Sequence, residues 1–180
     1  FFIDENRLLG AAQENYKKVL NYPNNPNYQY AQYKLAWVYF NRQSYRKSIE
    51  TFKKVAESES TKLGFQDRAY RDMLKPLAEV ENGWEEARDY FIKHRDREFA
   101  YDKLSNLASY FEGQGKNQQA IEIYNYFIDK RPNHNRIPSW MESIVVAKKK
   151  EAKLAEVEKT MNRFIAYLSP GGTWWKKNKD

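Results

Sequence analysis

Between Tyr33 and Phe52, apolar and polar positions alternate at spacings of three and four, the period of helices with a buried side. Leu35, Ala36 and Tyr39 share one row, and Ser48, Phe52 and Val55 share another after Tyr45 opens a new run. The same order returns at Leu107, Ala108 and Phe111, then Ala120, Tyr124 and Phe127, closed by Pro132. Each copy predicts two antiparallel helices joined by a short turn. A small residue in each helix, Ala36 facing Ser48 or Ala108 facing Ala120, lets the backbones approach, and bulky residues one turn away fill the space around that contact. Weaker versions flank these copies. Ala12, Tyr16 and Val19 supply a single leading helix. Trp84, Ala87 and Phe91 supply another, with Asn82 and Glu85 spaced as a capping box. Ile144, Val145, Val157, Met161 and Phe164 supply a last pair before Pro170.

This order of small and bulky residues resembles the tetratricopeptide repeat, a helix–turn–helix unit of about 34 residues. The resemblance is specific over 28–56 and 99–132 and degenerate over 57–98 and 136–170. It implies an all-α fold, a right-handed superhelical solenoid of antiparallel helix pairs, because one pair cannot bury its own apolar face and stacks on its neighbours. The expected organisation is a single array: a partial repeat at 1–27, a repeat at 28–56, a divergent repeat at 57–98, a repeat at 99–135, a divergent repeat at 136–171 and the start of a further helix at 172–180. The half-repeat at Leu8–Asn21 and the trailing "TWWKKNKD" are expected to belong to a longer array, with Phe1, Phe2, Trp174 and Trp175 covering raw ends. An elongated turn is expected over 57–67. Pro76 is expected to kink its helix, or to stand in the first turn of a helix that starts later.

Composition agrees with a helical protein. Seven Gly and six Pro among 180 residues are too few for an all-β chain with its frequent turns, and no apolar run is long enough to span a bilayer. No Cys is present, which removes disulfides and thiolate chemistry and leaves the compartment open. The net charge of +7 is divided as +3 over residues 1–60, zero over 61–140 and +4 over 141–180, with acids interleaved throughout. A nucleic-acid reader gathers its charge on one face, so no nucleic-acid partner is expected. The lysines of "KKKEAK" and "WWKKNK" could touch phosphates or a membrane surface, but Trp175 falls where the repeat places a Trp in its first helix.

Site chemistry is sparse. His94 and His134 are the only histidines. His94-Arg95-Asp96 lacks the remaining parts of a kinase catalytic loop, since Tyr101 stands where a metal-binding Asn would be needed. His134 lies in the polar turn "RPNHNRIP", read as a solvated loop. No catalytic residue, metal site or cofactor is expected. A second aromatic row is left over, however. Tyr30, Tyr33, Trp37 and Phe40 are spaced 3, 4 and 3 on one helix, on the positions that line the concave, peptide-holding surface in the family it resembles. The equivalent row from Tyr101 carries Asp102, Ser105, Asn106, Ser109 and Glu112. The expectation is a non-catalytic scaffold holding a protein or peptide partner in a groove, aromatic at one end and polar-acidic at the other, that suits an apolar segment near a basic one. The bland alternative is that the aromatic row packs against a neighbouring helix. A third reading is a homo-oligomer that buries the row between two copies. Tyr30, Lys34 and Trp37 stand where relatives that bind acidic C-terminal tails would carry a Lys/Asn clamp, which argues against that role. The Tyr22-Pro23 close followed by "YAQYKLAWVYF" is similar to bacterial envelope tetratricopeptide proteins, which implies a periplasmic or envelope location and a part in an envelope assembly.

Overall fold

The computed structural model describes residues 2–58, 63–152 and 154–179. Every regular element among them is helical, and they form two compact units, residues 1–90 and 91–180.

The first unit contains α1 (Phe2–Leu20), α2 (Tyr28–Asn41), α3 (Tyr45–Glu57), α4 (Leu63–Asp72), α5 (Leu74–Leu77) and most of α6 (Gly83–His94). Helix α2 packs against α1 on one side and α3 on the other. The α2–α3 crossing is built as the spacing predicts: Ala36 and Ser48 are fully buried, and Ser48 Oγ donates to the Ala36 carbonyl at 2.8 Å. That bond satisfies a buried hydroxyl which would otherwise cost about 1–3 kcal/mol. Phe52, Ile49 and Val55 fill the space around it with no exposed surface. A buried Phe contributes roughly 1.5–3 kcal/mol by its transfer from water.

The elongated turn expected over 57–67 falls in part on residues 59–62, which lie outside the described residues, and Leu63–Asp72 is already helical. The helix carrying Pro76 is broken at Met73, and Pro76 stands third in the short α5. Proline has no N–H, so the Asp72 carbonyl loses its helical donor four residues on, and the break falls there. The capping box expected at Asn82 does not have the extended geometry of a cap. Asn82 has φ 54°, and its carbonyl accepts the Glu86 N–H at 3.0 Å. Gly83 follows because a Cβ there would stand 1.8 Å from the Leu77 carbonyl oxygen. Helix α6 is tied to α3 through Glu86, which pairs with Arg46 and, at 2.9 Å, with Lys53. Burial alone would raise the Glu86 carboxyl above its ordinary value, but the Lys53 and Arg46 cations outweigh it and hold it low.

The second unit contains α7 (Arg97–Gly113), α8 (Asn117–Lys130), α9 (Ile137–Lys150), α10 (Leu154–Leu168) and α11 (Thr173–Asn178). Asp96 caps α7, its carboxylate accepting the Phe99 N–H at 2.8 Å. Ala108 and Ala120 are fully buried at the α7–α8 crossing, and Leu104, Leu107, Ile123 and Phe127 close around them. Helix α9 packs on α8, where Trp140 meets the Phe127 ring at 5.0 Å between centroids. Helix α10 packs on α9, and α11 packs on α10. Trp174 reaches the Pro132–Ile137 turn, while Trp175 remains exposed. The cover expected from Phe1 and the Phe2 side chain lies outside the described residues.

Candidate functional site

The aromatic row of α2 is placed by the helix period but is not uniformly open. Tyr33 is a core residue, which corrects the expectation that it lines a groove. Its ring meets Phe52 and Phe65, each at 5.8 Å between centroids, and its hydroxyl donates to the Asp72 carboxylate at the end of α4. Burial pushes the Tyr33 phenol above its ordinary value, and the bond to Asp72 adds to this, so it stays protonated. Asp72 is itself buried, and its second oxygen accepts from Arg71 Nε at 2.9 Å. The neighbouring-helix alternative therefore holds for the middle of the row.

The ends of the row differ. Trp37 is half-buried, edge-on to Phe52 at 5.8 Å and to Phe40 at 5.7 Å, and Lys75 Nζ lies 4.7 Å from its ring centroid. Phe40 is half-buried against Tyr45. Tyr30 is 44% exposed, with its edge on Phe65 and Lys34 Nζ 5.5 Å from its ring centroid. Arg68 lies over Phe65 at 5.8 Å. The surface left accessible is thus aromatic with cations over the rings, each such contact worth about 0.5–1 kcal/mol at an exposed site. Lys75 and Arg68 were absent from the sequence reading, because nothing in the spacing of α2 tells which residues of α4 and α5 will lean over it.

The polar row of α7 lies in the second unit. Asp102, Asn106 and Ser109 are exposed, and Ser105 is half-buried. Asp102 pairs with Lys103 at 2.9 Å, and Ser109 Oγ donates to the Ser105 carbonyl at 3.2 Å. Ser109 also belongs to a cluster with the Tyr124 hydroxyl, Glu112 and Ser143. Burial pushes the Tyr124 phenol up and the Glu112 charge adds to it, while hydrogen bonds from Ser143 and Ser109 act in the opposite sense. Sequence reasoning placed Tyr124 in the repeat core and overlooked its hydroxyl; a Tyr rather than a Phe at a core position was the available signal.

One further opening was missed. Between α9 and α10 lies an apolar groove of about 410 Å³ lined by Met141, Val145, Met161, Phe164, Ile165 and Leu168. Phe164 is buried as the repeat pattern requires, but Met161 and Ile165 are exposed. Their spacing with Leu168, 4 then 3, was visible in the sequence.

His94 is exposed at the end of α6, and His134 is half-buried, stacked on Trp140 at 4.9 Å, so it is no solvated loop residue. Among the described residues no group of three or more Asp, Glu or His is placed to hold a metal ion, and no helix is long and apolar enough to cross a membrane.

Two stretches, residues 30–60 and 105–134, match the family model of the tetratricopeptide repeat. No curated protein matches the chain. The matched stretches cover most of α2, all of α3, the second half of α7 and all of α8, including both small-residue crossings; repeats of this family generally mediate protein–protein interaction, and at these two stretches the chain carries tetratricopeptide repeats.

Proposed function

We propose that the protein is a non-catalytic scaffold whose first unit holds a partner segment carrying an apolar or aromatic side chain beside a carboxylate. The observation that carries this reading is the pairing of accessible α2 rings with cations: Trp37 under Lys75 of α5 at 4.7 Å and Tyr30 beside Lys34 of α2 itself at 5.5 Å. Aromatic anchors at a surface supply most of the energy of a typical interface, and flanking ammonium groups select an acidic neighbour and reject a basic one. Phe40 extends the apolar side of the surface, and Tyr33 supports it from beneath without touching the partner. In the second unit the exposed Asp102, Asn106 and Ser109, beside Ser105, offer a separate polar contact suited to a basic or amide-bearing segment. The resemblance of the Tyr22-Pro23 region supports service in a bacterial envelope assembly.

A peptide array varying charge around one aromatic residue tests this reading. Aromatic–acidic peptides are expected to bind, and Lys34→Glu with Lys75→Glu should invert the preference. Preference for basic peptides by the native chain, or indifference to the charge reversal, would overturn it. Light scattering covers the oligomer reading: a dimer dissociated by Tyr30→Ala with Trp37→Ala would assign the surface to a second copy.

A further inference from the structure

Two turns of the chain are built alike. In the first, "PNNPNY" (residues 23–28), the Asn25 N–H donates to the Tyr22 carbonyl, the Tyr28 N–H donates to the Asn25 carbonyl, and the Asn25 side-chain oxygen accepts the Asn27 N–H at 2.8 Å. In the second, "PNHNRI" (residues 132–137), the His134 N–H donates to the Arg131 carbonyl, the Ile137 N–H donates to the His134 carbonyl, and His134 Nδ1 accepts the Arg136 N–H at 3.1 Å. The two turns share one backbone pattern and one side-chain bond, spanning two residues in each. Only the acceptor differs: an amide oxygen that does not titrate in one turn, an imidazole nitrogen that does in the other.

The second turn also carries attachments in its own unit. Trp174 Nε1 of α11 donates to the His134 carbonyl at 2.9 Å, and the Tyr167 hydroxyl of α10 donates to the Pro132 carbonyl at 2.8 Å. The imidazole stacks on Trp140 of α9 with 17° between the rings. We propose that His134 is a titratable turn lock: protonation at Nδ1 replaces the acceptor of the Arg136 N–H with a donor, opens the turn before α9, and loosens the hold on α11.

The surrounding charges support the direction. Burial disfavours the imidazolium, and Arg131 at the end of α8 and Arg136 in the turn repel it. Glu98 of α7 favours it, but that carboxylate is engaged by Arg131 at 2.7 Å. Helix α9 presents the neutral Trp140 ring, α10 the Tyr167 phenol and α11 the Trp174 indole. The folded chain therefore holds His134 below the ordinary histidine value of about 6.5. A folded-state value below the unfolded one means the unfolded chain binds more protons. The lock then contributes its stability in full above about pH 6.5 and loses it as pH falls toward the folded value.

With only two histidines in the chain, a window from about pH 7.5 to about pH 5.5 isolates them. The first measurement is the urea midpoint across that window for the native chain and for His134→Asn, which installs the acceptor type of the first turn. The native midpoint should fall with pH and that of the variant should fall by less than half as much; equal slopes would overturn the proposal. The second needs no change at His134. In His94→Gln the single remaining imidazole is titrated by proton NMR, folded and in urea, while the Trp174 indole N–H is followed after assignment by its loss in Trp174→Phe. The imidazole should titrate lower in the folded chain, and the indole resonance should move with the same midpoint. A folded midpoint at or above the urea value, or an indole signal indifferent to it, would remove the lock.

Discussion

The α2–α3 and α7–α8 pairs share one packing pattern and use their second faces in opposite ways. Both cross at fully buried small residues, Ala36 with Ser48 and Ala108 with Ala120. In the second-unit pair the outward row of α7 stays polar and largely exposed. In the first-unit pair the corresponding row of α2 is aromatic, and α4 and α5 lean on it: Asp72 takes the Tyr33 hydroxyl, Phe65 takes two rings, and Lys75 covers Trp37. The crossing leaves little choice of residue, because backbones that approach this closely admit only small side chains. The row one face away is under no such constraint. It can be exposed, as on α7, or shared between packing and surface, as on α2.

The largest test of that contrast is Trp37→Ala with Phe40→Ala. Both rings are half-buried and both belong to a chain of edge contacts through Phe52, so the pair should lower folding stability by about 2–4 kcal/mol, below the full cost of two buried aromatics. A denaturant melt reads this directly, and an unchanged midpoint would return the row to an open groove. The next effect is smaller. Tyr33→Phe keeps the ring but leaves a buried Asp72 oxygen without its donor, which should cost about 1–3 kcal/mol. Adding Asp72→Asn should recover part of that loss if the carboxylate is the source. The smallest effect belongs to the second unit. Asp102→Asn with Asn106→Ala should stay within about 0.5 kcal/mol of the native chain, since both side chains are exposed. A larger drop would mean that α7 also commits its second face to packing.

The same contrast explains what could be read in the sequence of the candidate surface. Tyr30, Tyr33, Trp37 and Phe40 lie along α2 as their spacing requires, because i, i+3 and i+4 positions share a helix face. Their exposure was not legible, since it depends on Asp72, Phe65 and Lys75, which are 32 or more positions beyond the residues they meet. The groove between α9 and α10 shows the converse. Met161 and Ile165 look like any other apolar stripe, and their exposure depends on what else packs against α10.

By itself the sequence determined the helical class, the small-residue crossings, and the assignment of Phe52, Phe127 and their neighbours to the core. Those features follow from local periodicity and from side-chain volume at a close contact, both of which are written residue by residue. The tertiary structure alone decided that Tyr33 is a core hydrogen-bond donor, that Lys75 lies over Trp37, and that His134 closes a turn against Trp140 and Trp174. Each of these joins groups from different elements of the fold. The geometry that brings such partners together is a property of the packed unit, and no period along the chain encodes it.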